Sequence, residues 1–224
     1  MEIGKTLNTF LTLTSGICWT IVYILIIIRS FRDKTYGMPF WALTFNIAWE
    51  FIFSFILVGN HLTLQRIINI VWFAFDAAIL VSYFLYGLKE WPQQISKKLF
   101  YPYSILGLII GYLFVYLISV EVDHSQSIYA AFIQNLMMSL LFINMLNYRK
   151  STVGQSPAIA VFKMIGTLAP TIIFGARSPF VLFLGISCFV VDIIYVILLL
   201  QSAGHTGLMK NEKSDFATSR QQVH

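Results

Sequence analysis

Charge is scarce in this chain: Asp, Glu, Lys and Arg make up 11% of 224 residues, against about 25% in an average soluble protein. With 58% apolar side chains and a mean hydropathy of +0.75, a water-soluble globule is excluded. Cysteine is nearly absent. Cys18 and Cys188 both lie inside apolar stretches, so neither a disulfide framework nor a cysteine metal site is supported. No DDxxD, DxDD, GxxxxGKS/T or HExxH pattern occurs, and His61, His124, His205 and His224 fall in loops or the tail. Magnesium-assisted diphosphate ionisation therefore has no visible ligand set, and no metal or other cofactor is expected. The first apolar stretch lacks a basic leader and a small-residue cleavage site, so it reads as a helix of the mature chain rather than a signal peptide. No internal repeat suggests two related halves.

What is present is a succession of apolar runs long enough to cross ~30 Å of hydrocarbon as helices. Seven are expected: Leu7 to Ile28, Met38 to Gly59, Ile67 to Leu88, Tyr101 to Val120, Ser127 to Asn147, Pro157 to Ala176 and Pro179 to Gln201. The fold class is an all-α seven-helix transmembrane bundle over residues 1–201, followed by a polar tail from Ser202 to His224 without periodicity, expected to be unstructured.

The net charge of +5 and pI near 9.2 come from basic residues grouped beside apolar ends. They read as topology signals rather than a nucleic-acid surface, and the partner is the lipid bilayer. One side collects Arg29, Arg32, Lys34, Lys89, Lys97, Lys98, Arg149, Lys150, Lys210, Lys213 and Arg220, and the other only Lys5, Arg66 and Arg177. This asymmetry predicts an outside or lumenal N-terminus and a cytoplasmic C-terminus. Lys163, inside the sixth stretch, is expected to snorkel toward the basic side.

Of the ten carboxylates, seven flank the helices, while Glu50, Asp76 and Asp192 fall well inside the second, third and seventh crossings. A carboxylate at mid-bilayer costs about 2.5–3.5 kcal/mol on insertion scales, so such groups turn inward, pair or stay protonated. One interhelical hydrogen bond accounts for one such residue; three in the membrane interior point to chemistry. Desolvation favours the neutral acid, the form that general acid catalysis uses. Asn46 stands four residues before Glu50 and Trp72 four before Asp76, while Cys188 and Tyr195 flank Asp192. Gln134, Asn135 and Ser139 on the fifth crossing either extend this polar interior or hold helices together.

Aromatic residues reach 16%. Trp41, Trp91, Tyr101 and Tyr103 fit an interfacial belt. Trp49, Trp72, Phe75, Tyr83 and Tyr195 lie deeper. Ring faces around an acid stabilise a developing carbocation and exclude the water that would quench it, although packing alone also uses such rings.

The run Ser30 to Glu50, SFRDKTYGMPFWALTFNIAWE, resembles the integral-membrane terpene cyclases of fungal meroterpenoid and indole-diterpene pathways, such as those leading to pyripyropene, andrastin and paxilline, which have bacterial relatives. The shared pieces are the basic loop with TYGM, NIAWE, KEW at Lys89 to Trp91, and SPFVLFLGISCFVVD at Ser178 to Asp192. The resemblance implies cyclisation of a membrane-partitioned polyprenyl substrate, epoxidised beforehand, by protonation and without metal. A prenyltransferase and an epoxidase would supply that substrate. The two acids of the family map onto Glu50 and Asp192; Asp76 is added by the physical argument. The expected catalytic residues are thus Glu50, Asp192 and Asp76, with Asn46, Trp49, Trp72, Tyr83, Asn135 and Tyr195 contacting substrate. The implied location is the endoplasmic reticulum in a eukaryote or the plasma membrane in a bacterium.

Rival seven-helix readings are a retinal protein, a receptor and a proton-coupled small-molecule transporter. No lysine lies between Pro179 and Gln201 to form a Schiff base, which removes the first. The transporter is the alternative that also uses intramembrane carboxylates.

Overall fold

The computed structural model describes residues 4–59, 61–124 and 126–221; for 205–221 it describes the backbone alone. Long helices follow one another with no strand among the described residues: α1 Lys5–Asp33, α2 Phe40–Phe51, α3 Leu64–Tyr86, α4 Phe100–Glu121, α5 Ile128–Arg149, α6 Pro157–Gly175 and α7 Pro179–Gln221. Six helices are long and apolar enough to span a bilayer.

The exception is the second. After Pro39, α2 runs for 12 residues and passes into a five-residue π-helical turn, Ile52–Ile56, closed by the Leu57 amide on the Ile52 carbonyl at 2.8 Å. Leu57 then leaves helical space at ψ 68°. At 1.5 Å per residue this gives about 25 Å, short of the expected stretch to Gly59 and of the ~30 Å hydrocarbon thickness. Helices α1, α3, α4, α5 and α7 are longer than their expected spans, because residues at their ends continue the helix past the apolar run, and α6 stops one residue before Ala176. The backbone of α7 likewise continues as helix to Gln221, where the sequence suggested an unstructured tail from Ser202. Extending a helix that already exists carries no nucleation cost. Residues 222–224 lie outside the described residues.

Helix packing forms a closed ring, α1–α3–α2–α5–α7–α6 and back to α1, with α4 laid against the outside of α2. The α2–α4 approach is close because Gly107 and Gly111 stand one turn apart: a Cβ on Gly111 would come within 2.8 Å of the Thr44 carbonyl oxygen. The outer face of α4 shows Ile105, Ile109, Leu113 and Leu117, and that of α7 shows Phe183, Ile186, Val190 and Ile197, all exposed. Apolar stripes of this length on the outside of a bundle are stable against lipid, not water. The chain is an integral multi-pass membrane protein.

Two local features shape the interior. Pro170 interrupts α6 and cannot bond to the Gly166 carbonyl; Ser15 on α1 satisfies that oxygen at 2.8 Å. At the end of the bundle where α1, α3 and α5 finish, Arg149 pairs with Glu90 at 2.8 Å and donates to the Tyr36 and Val153 carbonyls. Thr35 donates to the same Glu90, and the Gly154 amide to Asp33 at 3.0 Å. These bonds tie three loops together and close that end.

Candidate active site

The ring encloses a cavity of about 1220 Å³, lined by α1, α2, α3, α5 and α6 and the loops at one end. That is above the ~300–1,000 Å³ of ordinary small-molecule pockets, which leaves room for a long apolar guest. Trp19, Tyr23, Trp49, Phe53, Trp72 and Phe132 give it aromatic walls. Tyr23, Asn46, Glu50, Trp72 and Met138 form its deep part; Gly59, Arg66, Gln126 and Arg177 stand at the opposite, loop end.

One helical turn of α2, from Asn46 to Glu50, carries the polar centre. The Asn46 amide nitrogen donates to the Tyr23 hydroxyl oxygen at 2.5 Å and to Asp76 Oδ2 at 2.8 Å. The Tyr23 hydroxyl donates in turn to Glu50 Oε1 at 3.1 Å. Asn46 therefore reaches Glu50 through the phenol, not directly as the i, i+4 spacing suggested. Glu50 is 2% exposed, lines the cavity, and has a buried Oε2 without a hydrogen-bond partner among the described residues. Asp76 is fully buried behind Asn46, off the cavity wall, with Oδ1 likewise unpartnered.

Asp192 belongs to a different cluster. Lys163 Nζ lies 2.9 and 3.0 Å from its two carboxylate oxygens and donates to Ser139 Oγ at 2.5 Å, all with no solvent exposure. The expectation that Lys163 snorkels is thus corrected: an intramembrane aspartate one helix away is a better partner than the distant interface. None of the described side chains of α7 lines the cavity, since α7 packs behind α5 and α6. The Ser139 hydroxyl continues to the Asn135 carbonyl at 3.0 Å, and the Asn135 side chain, on the wall, donates to Thr167 at 2.6 Å. Gln134 Oε1 and Asn135 Oδ1 are buried there without partners. Among the described residues no three His, Cys, Asp or Glu side chains are grouped as a metal ion would require.

A bilayer-spanning bundle around a large aromatic chamber with a free carboxyl oxygen fits the comparison with known proteins. The family of Pyr4-like transmembrane terpene cyclases matches residues 3–203. The chain belongs to that family. It is 30% identical over 167 residues to the Pyr4-family terpene cyclase mfmH of Annulohypoxylon moriforme, covering 73% of this chain and 68% of the relative. It is 26% identical over 201 residues to the terpene cyclase pyr4 of Aspergillus fumigatus, covering 82% of each. Asnovolin H synthase nvfL of Aspergillus novofumigatus is 30% identical over 163 residues, 70% of this chain and 65% of the relative. No solved structure matches the chain. Membership makes this membrane cyclase an enzyme of ring formation.

Among the residues expected at the cyclase site, Glu50, Asn46, Trp49, Trp72 and Asn135 line one cavity. Trp72 Nε1 donates to Thr20 at 3.1 Å and Trp49 Nε1 to the Ser127 carbonyl at 3.3 Å, which fixes both rings. Tyr83 is not among them. Seven positions beyond Asp76 on α3, or about 10 Å along the axis, it stacks on Phe40 at 4.5 Å and meets Ser104 at 3.1 Å. Tyr195 lies behind the wall and donates to Gln155 at 2.6 Å. Tyr23 and Lys163 are the residues missed as partners. A lone tyrosine in the run TIVYILIII was the signal for the first, because a hydroxyl in hydrocarbon must find a partner. For the second, a lysine and an aspartate inside neighbouring spans was signal enough.

Proposed function

We propose that this cyclase closes rings on the epoxidised prenyl chain of a meroterpenoid or related terpenoid, starting from a proton carried by Glu50 and using no metal. The observation that carries the reading is Glu50 Oε2: a buried carboxyl oxygen on the wall of an aromatic chamber, with no hydrogen-bond partner among the described residues. Because Oε1 is occupied by the Tyr23 hydroxyl, a carboxyl proton on Oε2 is directed into the cavity. Transfer of that proton to an epoxide oxygen breaks a C–O bond and leaves a carbocation. Internal alkenes attack in sequence, each forming a C–C bond, and loss of a proton from carbon ends the cascade. The product is an isomer of the substrate, and the returned proton restores Glu50.

General acid help accounts for about 10² to 10⁴-fold. Holding the flexible chain in a reactive fold contributes more, ~7–11 kcal/mol where orientation is good. The rings of Trp49, Trp72 and Tyr23 favour positive charge through cation–π attraction. Asp76 acts through Asn46 on the Tyr23–Glu50 pair, and Asp192 with Lys163 braces the α5–α6 wall. Seven crossings with a lumenal or outside N-terminus complete the proposal; the distribution of Lys and Arg supports the orientation. The relatives' names as terpene cyclases support the substrate class. A prenyltransferase and an epoxidase are the activities that would make the substrate.

The test is an extract comparison: a host carrying such a prenyltransferase and epoxidase, with and without this chain. A new cyclic product of unchanged mass supports the proposal. Unchanged epoxide in both hosts, or substrate accumulating inside vesicles as a transporter would cause, contradicts it.

A further inference from the structure

The mouth of the cavity carries charge of one sign. Arg66 and Arg177 both line it, and apart from Glu50 in the deep part no carboxylate among the described residues does. Neither guanidinium is within ion-pair distance of a carboxylate among the described residues. Arg66 is part-buried and fixed by Nε to the Ser54 carbonyl at 2.9 Å, and its terminal nitrogens have no hydrogen bond among the described residues. Arg177 is exposed and lies over the Phe174 ring at 5.2 Å.

Arg177 follows the C-terminal end of α6, where the helix dipole favours a cation, whereas Arg66 has no such setting. Both stand at the end of the bundle that is poor in basic residues, so the retention signal of the opposite end does not account for them. Arg66 is in the first turn of α3, three residues after the N-cap Thr63, where the helix dipole disfavours a cation. The start of α5 at Ser127 and Ile128 also lines the mouth and adds a second positive helix end. An unpaired guanidinium beside an apolar chamber is matched by an anion with planar oxygen geometry, a carboxylate above all. Arg66 precedes Asp76, at the level of the Asn46–Tyr23–Glu50 cluster, by ten positions on α3, ~15 Å of helix.

We infer that Arg66 and Arg177 form a head-group site that selects an amphipathic substrate with an anionic, carboxylate-bearing head, and sets its prenyl tail pointing inward to Glu50. This rests on the reading of the cavity as a cyclase chamber, since the head site faces the substrate of that reaction. The pair fixes which end of the guest enters first. A neutral head binds without that preference.

The test is binding, read by quenching of tryptophan fluorescence in phosphatidylcholine nanodiscs holding the full chain, since Trp19, Trp49 and Trp72 line the cavity. The probes are a prenylated benzoic acid without an epoxide and its methyl ester. The wild type binds the acid at least about tenfold tighter than the ester, the scale of one charge-assisted contact. Arg66→Gln and Arg177→Gln each shrink that ratio while ester affinity stays within twofold, about the scatter of a neutral change. Equal affinity for acid and ester in the wild type, or equal loss of both in the variants, overturns the inference. Adding phosphatidylserine leaves the preference in place; its abolition by that lipid would assign the pair to membrane headgroups and overturn the inference too. Glu50→Gln keeps the acid preference. A wild type that prefers the acid but cyclises no epoxide leaves the head site standing and refutes the cyclase substrate instead.

Discussion

The Tyr23 hydroxyl donates to Glu50 Oε1 at 3.1 Å while accepting from Asn46 at 2.5 Å, so one phenol decides which oxygen of Glu50 is left for the cavity. Tyr23→Phe removes the donor and keeps the ring against Trp72 and Phe75. Its expected effect is about a tenfold or greater loss in kcat, on the scale of one hydrogen bond, with KM nearly unchanged. Steady-state kinetics in nanodiscs checks this; a rise in KM alone would make Tyr23 a packing residue.

The Lys163–Asp192 pair is fully buried, and breaking it is costlier than replacing it. Asp192→Asn strands the ammonium, destabilises the protein by roughly 3–5 kcal/mol and stops cyclisation. Lys163→Met combined with Asp192→Leu restores the melting temperature and measurable turnover. A double variant as stable as the wild type yet inactive would give Asp192 a chemical role of its own.

Gly111→Ala pushes a methyl against the Thr44 carbonyl oxygen at 2.8 Å and the carbonyl carbon at 3.0 Å. Backbone does not yield as a side chain does. The expected cost is about 1–3 kcal/mol, read as a lowered melting temperature in detergent, with α4 displaced from α2. An unchanged melting temperature would show that the helices separate freely there.

At the loop-tied end, burial and then the Glu90 carboxylate push the Tyr36 phenol up to about 12. The folded state therefore holds this proton more tightly than the unfolded chain, whose phenol titrates near 10. The stabilising contribution is complete below pH 10 and is lost as pH rises toward 12. Tyr36→Phe should lose less stability than the wild type across that window in a thermal-unfolding series. Parallel curves for both proteins would contradict the assignment.

Much of this was legible from residue type and spacing, because hydrocarbon forces helices and makes each interior polar group conspicuous. Glu50 with Asn46, and the rings of Trp49 and Trp72, could be assigned to one interior from the NIAWE turn and the third span. What could not be read was the lateral order of the helices. Periodicity gives each helix an inward face but not its neighbours, so depth alone places Asp192 with Glu50, whereas α7 sits behind α5 and α6 and offers its carboxylate to Lys163. Tyr83 failed for a simpler reason: two turns along α3 carried it out of the chamber and into the Phe40–Phe100 stack. The TYGM and KEW pieces that carried the resemblance meet at the far end of the bundle, where Thr35 donates to Glu90. They hold loops together rather than touch the cavity.

The most direct test of the account is Glu50→Gln, which keeps the shape of the side chain and removes its transferable proton. In nanodiscs supplied with an epoxidised prenyl substrate, the wild type should yield a cyclic isomer, and Glu50→Gln none, while both quench equally with an unreactive prenyl analogue. Cyclic product from Glu50→Gln at the wild-type rate would contradict the claim that Glu50 delivers the initiating proton.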